Sequence, residues 1–334
     1  MVTGEVRALA LAHYARQQAA AVHAVARVRE LWQRIDHRRI TGSWQQLAPL
    51  LVAAVTDAQR QAAALADPYV AAVVEAEDAD PTSAGRVRPG AFAGIASDGR
   101  PLLSLLYQPV IDWKVRMLAG QSVDEAFRGS LASALRITAT QVADAGRGAT
   151  GAAMAGRRTI QGYVRVVQPP ACARCIILAG KEYGWNRGFQ RHPRCDCIHL
   201  PTTLVARNQH RRGFIDPDDY FRGLSRAEQD RVFGEAGARA IREGADMAQV
   251  VNARRGMTTM TAYGRQVQAT TEGATRRGAF YRLERRRAID RGLVPGDGRG
   301  FQLRTPRLMP EEIYRLAESR DEAISLLRRF GYLT

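Results

Sequence analysis

The sequence predicts a mainly helical protein: an N-terminal long-helix bundle or hairpin, a small α+β region, and short C-terminal helices. Three observations predict it. Through the first 150 or so residues apolar side chains recur at three- and four-residue steps, the spacing of a helix with one buried face. A run of strand-forming residues follows only at Gly162, where Tyr163, Val164, Arg165, Val166 and Val167 precede two prolines. Beyond it, Ser or Asp stands repeatedly where a short helix would begin, twice with Glu three residues later.

Residues 5–36 read as one amphipathic helix carrying Val22, Val25, Val28, Leu31, Trp32 and Ile35. Ser43 is placed to cap the next helix, which carries Trp44, Leu47, Leu51 and Val55 and which Pro49 should interrupt. Pro68 restarts a shorter piece through Val70, Val73 and Val74. The stretch 78–99, with Pro81, Gly85, Pro89 and Gly90, has the composition of a loop, expected to act as a hinge or arm. Helices resume over 101–118, and Ser122 with Glu125 forms a capping box for a long helix to about Ala145. The strand at 163–167 should stop at Pro169 and Pro170, and a second short strand fits 198–200, just before Pro201. Ser225 with Glu228 caps one later helix, Asp246 starts another that Gly256 ends, and Ser319 with Glu322 caps a last one that Gly331 ends. There is no internal repeat and no low-complexity tract.

A hydrophobic content of 46% over 334 residues supports a packed core in one large domain or two ordinary ones. No stretch approaches the roughly 18 unbroken apolar residues of a membrane span. The N-terminal MVTGEVRALALAHYARQQ carries Glu5, Arg7 and Arg16 where a secretory signal would be apolar, so a soluble cytoplasmic protein is expected. Basic residues exceed acidic ones, 49 to 33, for a net charge of +16, and all but Lys114 and Lys181 are arginine. The preference for Arg over Lys fits a GC-rich genome; the excess itself is concentrated late. Arg254 to Arg307 holds 13 arginines against Glu272, Glu284, Asp290 and Asp297. Such a segment suits a polyanion contacted through its phosphates, an acidic protein partner, or simply a solvated basic face.

All four cysteines lie within 26 residues: Cys172 and Cys175 in a C-x-x-C, then sixteen residues, then His192, Cys195 and Cys197. A cytoplasmic protein does not ordinarily keep such a cluster as disulfides. Zinc takes four soft or borderline ligands in a tetrahedron, and two ligand pairs on two turns supply that geometry. Cys172 and Cys175 form the first pair; the second comes from His192, Cys195 and Cys197. In an extended segment Cys195 and Cys197 point to one face; in a turn, His192 with either cysteine serves. Five candidate ligands favour a closed structural Zn2+ site over a catalytic one, which keeps a position open for water. A deaminase site requires H-x-E ahead of its cysteine pair, and none is present. A histidine–metal nuclease would need a second histidine and an Asn at a suitable spacing; His199 and His210 read instead as surface or structural.

The run YVRVVQPPACARCIILAGKEYGW with HPRCDCIHLP resembles the Cys/His signature of Mu F-type minor head proteins, the head-morphogenesis proteins of tailed phages. DYFRGLSRAEQDRVFGEAGARAIREGADMAQVVNARRGM and RLMPEEIYRLAESRDEAISLLRRFGYL are similar to the versions found in actinobacterial phages and prophages. The likeness runs in blocks from Gly162 to the C-terminal end; the first helices carry no diagnostic residue. It implies a minor structural protein near the portal vertex inside the capsid, aiding head assembly or DNA ejection. By that reading residues 1–158 dock on portal or capsid, 159–214 are a zinc-knuckle α+β region, and 215–334 are a basic helical region. The implied partners are the portal protein, the major capsid protein and packaged double-stranded DNA along Arg254–Arg307, with no membrane. The implied places are the host cytoplasm during assembly and then the virion.

Related phage proteins are often labelled maturation proteases, which would need a Ser–His pair with an orienting group. Ser104, Ser130 and Ser225 stand in helical or capping contexts, while His13, His23 and His37 are read as lying on the first helix. No spacing singles out a nucleophile, so no enzyme is expected. A sequence-nonspecific nucleic-acid-binding zinc protein is the third reading; the interval between ligand pairs lacks a base-reading helix.

Overall fold

The computed structural model describes residues 4–188, 195, 197–203, 215–262 and 264–333. The fold is mainly helical with two small three-stranded sheets. Contacts divide it into two compact units, one of residues 1–168 with 179–214, the other of 169–178 with 215–334. These differ from the three regions expected above.

The first unit is built on long helices: α1 (Gly4–Gln33), α2 (Ile40–Ala64), α3 (Ala66–Glu75), α4 (Leu102–Leu106), α5 (Gln108–Leu118) and α6 (Val123–Ala155). Helix α6 packs against α1, α2, α3 and α5. The Ser122–Glu125 capping box is present, and the helix runs ten residues past the expected Ala145. Close approach of α1 and α6 needs small residues: a Cβ on Gly146 would collide with the side chain of Gln17. The buried stripe of α1 is correspondingly small, with Ala10, Ala20, Ala21 and Ala24 preceding Val28, Leu31 and Trp32. Val22, expected on that stripe, is 62% exposed; six positions from Val28, it is turned about 120° away from it.

Two further expectations fail for local reasons. Ser43 caps nothing, because α2 begins three residues earlier; its hydroxyl accepts the Asp36 N–H at 3.0 Å. Pro49 does not interrupt α2. The proline and Gln45 are both exposed, so the carbonyl that loses its i+4 donor faces water, where solvent can satisfy it. Residues 78–99, expected as a hinge or arm, contain a 3-10 turn at Pro89–Phe92 and are tied down along their length. Val87 N–H donates to Asp67 Oδ2 at 2.6 Å, Gly94 N–H to Gln59 Oε1 at 2.9 Å and Ser97 N–H to Gln141 Oε1 at 2.8 Å.

Strands β1 (Ile160–Val166), β2 (Glu182–Gly184) and β3 (Ile198–Thr203) complete this unit as an antiparallel sheet in the order β2-β1-β3. Pro201 does not end β3: it pairs opposite Tyr163, and β3 is an edge strand where a missing N–H can be tolerated. Gly162 lies opposite Gly184 because a Cβ there would strike the Tyr183 carbonyl. Val164, Val166, Ile198 and Leu200 join the core made by Val6, Val70, Val73, Val74 and Met154.

The second unit is made of short elements: α7 (Ala173–Ile176), α8 (Pro217–Gly223), α9 (Arg226–Phe233), α10 (Glu235–Arg242), α11 (Met247–Ala253), β4 (Met257–Ala262), β5 (Arg265–Thr270), α12 (Ala279–Asp290), β6 (Arg307–Leu308), α13 (Pro310–Leu316) and α14 (Arg320–Arg329). The caps at Ser225, Asp246 and Ser319 are all present, and Gly331 follows α14 with φ at 69°. Helix α11 stops at Ala253 and a 3-10 turn carries the chain to Gly256. The C-terminal region is not purely helical, since β4, β5 and β6 form an antiparallel sheet. Val267 of β5 and Leu308 of β6 close over a core of Val250, Phe280, Ile313, Leu327 and Tyr332.

Candidate metal centre and basic segment

The two cysteine pairs fall in different units, and each is built by its own surroundings. Cys172 is the N-cap of α7, so the C-x-x-C is a single helical turn; Ile176 N–H donates to the Cys172 carbonyl at 3.1 Å. Ile176 and Ile177 are buried and α7 contacts α11, while Cys172 is exposed and Cys175 buried.

Cys195 and Cys197 lie just before β3, both buried, with sulfurs 3.0 Å apart. That separation is well short of the roughly 3.8 Å between two sulfurs bound tetrahedrally at 2.3 Å from one zinc, and a small opening would bring them to it. The pair is held from behind by Arg147 of α6, which donates from Nη1 to the carbonyls of Cys195 at 2.8 Å and Cys197 at 3.1 Å. Arg147 is itself buried and paired with Asp144 one turn earlier. Arg165 of β1, also buried, places Nη2 3.4 Å from Cys195 Sγ. A guanidinium beside a sulfur stabilises the thiolate, the form that binds metals.

His192, the fifth candidate ligand, lies outside the described residues, as does Asp196 between the second pair. Among the described residues no group of three or more His, Cys, Asp or Glu side chains is gathered in a metal-binding arrangement. His199 is on β3, with its ring 4.1 Å from that of Tyr163 and its carbonyl accepting from Tyr69 Oη at 3.0 Å. His210 lies outside the described residues.

Arg147 and Arg165 escape a reading by motif. A signal for Arg165 is nonetheless present: a charged residue stands inside the apolar run Tyr163–Val167, where both faces of a strand become buried. A signal for Arg147 is its position in the small-residue stretch ADAGRGATGAAMA, where α6 meets its neighbours.

Of the histidines and serines weighed for proteolysis, His13, Ser104, Ser130 and Ser225 have local roles. His13 is buried, stacked on Tyr69 with ring centroids 3.8 Å apart and hydrogen-bonded to Gln17 at 3.0 Å. Burial, and secondarily the Arg16 charge, push its pKa down to about 4. Ser104 Oγ donates to the Pro101 carbonyl, Ser130 Oγ to the Phe127 carbonyl, and Ser225 caps α9.

The 13 arginines of 254–307 do not act as one surface. Arg307 is buried, donating to the carbonyls of Phe330, Glu272 and Gly331 and to Gln249 Oε1, with its guanidinium 4.2 Å from the Tyr332 ring centre. Arg254 pairs with Glu311, Arg255 with Glu272, Arg286 with Asp290, Arg287 with Glu284 and Arg299 with Asp297. Arg285 donates to the carbonyls of Asp297 and Gly298, and Arg282 to that of Arg277. Arg265, Arg276, Arg277, Arg291 and Arg304 are exposed and make no side-chain hydrogen bond or ion pair among the described residues. None of the described helices is long and apolar enough to cross a membrane. Comparison with known families, curated proteins and solved structures found no match to this chain.

Proposed function

We propose that the chain is a minor structural protein of a tailed-phage head, seated near the portal vertex inside the capsid, where it aids assembly or DNA ejection. The observation that carries this reading is the Cys/His block from Cys172 to Cys197, with the two later sequence blocks in the same order. Its partners are the portal or major capsid protein, through the helices of 1–158, and packaged DNA, through the unpaired arginines of 254–307. Co-expression with the portal and major capsid proteins of the same genome tests it. Recovery in assembled heads supports the reading; heads of normal yield and composition that exclude the chain defeat it.

Within that role the cysteines hold one structural zinc. The thiolate-favouring contact of Arg165 supports the second pair as ligands and the helical turn at Cys172 the first, each within its own unit, and it is the sequence spacing of the motif that joins them into one set. The two residues that complete the tetrahedron with Cys172 and Cys175 come from His192, Cys195 and Cys197. Metal analysis should find one zinc per chain, and none in a Cys172→Ser, Cys175→Ser double variant. A folded, metal-free chain with two disulfides would overturn the assignment. Cys197→Ser should lower the melting temperature while assembly at permissive temperature continues, because metal-binding free energy becomes folding free energy at a structural site. Lost function at an unchanged melting temperature would point to chemistry at the metal.

A further inference from the structure

A cleft of about 530 Å³ opens in the second unit between α12 and α14. Arg287, Arg291, Arg328 and Arg329 line it, against Glu284 as the one acid, with Phe301 and Leu293 on an apolar wall. The groups divide into two kinds. Arg287 is committed to the fold: it pairs with Glu284 at 2.7 Å, which neutralises that carboxylate, and donates to the Arg329 carbonyl at 2.9 Å. The Arg329 guanidinium lies 5.7 Å from the Phe330 ring centre. Arg291 and Arg328 are exposed and make no side-chain hydrogen bond or ion pair among the described residues. Phe301 is held edge-on to Tyr281 at 5.1 Å, and Tyr281 Oη donates to the Phe301 carbonyl at 3.3 Å, so the ring belongs to a fixed wall.

An interaction with the helix dipoles accounts for basic residues at the ends of α12 and α14. It does not account for their sharing a concave site with an exposed Leu293 and a fixed aromatic ring. Cations at hydrogen-bonding reach of an anion, with a ring and an aliphatic side chain beside them, form a surface suited to a phosphodiester carrying its sugar and base. We propose that this cleft binds the phosphodiester backbone of a nucleic acid, with Arg291 and Arg328 on the phosphates and Phe301 against the adjoining sugar or base. The inference deepens the nucleic-acid part of the reading above and rests on that part alone. It also moves the contact: the site includes Arg328 and Arg329, beyond the 254–307 segment, and omits most arginines within it.

Binding of the full chain to a labelled single-stranded oligonucleotide, measured across a salt series, tests it. Arg291→Gln with Arg328→Gln should weaken binding about tenfold and reduce the slope of log affinity against log salt by about 1.4, the release expected for two phosphates. Arg226→Gln with Arg231→Gln, which removes two exposed arginines of the second unit outside both the cleft lining and the 254–307 segment, should change affinity by less than about threefold. Melting temperatures of both variants report that the fold is intact. Phe301→Leu should weaken single-stranded binding more than duplex binding.

Oligonucleotide binding that is unaffected by the cleft pair, or equally weakened by the 226/231 pair, overturns this site and leaves general nucleic-acid contact standing. Absence of binding by the unaltered chain at low salt overturns both. Displacement of the oligonucleotide by inorganic phosphate at equal concentration would assign the cleft to a free anion and overturn the nucleic-acid assignment.

Discussion

Each unit contains a buried arginine on a three-stranded sheet, and the two side chains are satisfied in different ways. Arg307 on β6 and Arg165 on β1 are each 1% exposed. Arg307 sits in a cage of neutral acceptors, three carbonyls and one side-chain amide, closed by the face of Tyr332. Its charge is dispersed over groups that would otherwise lack donors, and burial pushes its pKa down, with Tyr332, Glu272 and Asp246 opposing. Arg165 reaches a sulfur instead. A buried cation must be compensated. In the second unit the backbone supplies the compensation; in the first, the sulfur of Cys195 contributes. One arginine therefore belongs to folding, whereas the other connects the fold to the candidate metal centre.

The largest expected effect tests the first half of that contrast. Arg307→Met should destabilise the second unit by about 3–5 kcal/mol, because it strands the carbonyls of Phe330, Gly331 and Glu272 together. Denaturant unfolding would measure it, and zinc content per folded chain should not change. Loss of less than about 1 kcal/mol would mean that the cage is incidental.

A smaller effect concerns a buried base that has no cage. His13 is depressed to about 4 from 6.5, so the unfolded chain binds its proton first as pH falls. The contribution of neutral His13 is complete above pH 6.5 and is lost progressively between 6.5 and about 4, amounting to about 3 kcal/mol over that window. Stability should thus rise with pH across it, and His13→Gln should flatten the rise. A slope unaffected by the substitution would place the acid sensitivity elsewhere.

Arg165→Met tests the other half of the comparison. Zinc affinity should fall about tenfold to a hundredfold, the range for losing a group that supports metal ligands, and a competing chelator would report it. Equal zinc affinity with a large stability loss would make Arg165 a second Arg307. The smallest effects are at the caps: Ser122→Ala in the first unit and Ser225→Ala in the second should each cost about 1 kcal/mol. Similar values would confirm that cap chemistry is local and indifferent to which unit carries it.

That indifference explains how much could be read in advance. Ser122, Ser225, Asp246 and Ser319 were legible as helix starts because a cap depends on residues within one turn of itself. The strand at β1 was legible because its apolar run is unbroken by anything but Arg165. The 254–307 segment misled: its arginines suggested an exposed helical surface, yet β4 and β5 form a hairpin there, and Arg307 is among the most buried residues. Composition cannot separate an arginine that faces water from one whose donors meet carbonyls more than twenty residues away in sequence. Pro49 misled for a related reason, since the cost of its missing N–H depends on which side of α2 faces solvent.

By itself the sequence determined the helical class, the caps at Ser122, Ser225, Asp246 and Ser319, the β1 strand and the clustering of four cysteines with His192 along the chain, all set by near neighbours. Only the tertiary structure decided that 78–99 is tied to Asp67, Gln59 and Gln141, and that Arg147 and Arg165 support the Cys195–Cys197 pair. It also decided which arginines remain unpaired. Those outcomes depend on which distant acceptors and small residues are brought alongside, as at Gly146 and Gln17, and sequence spacing carries no record of that.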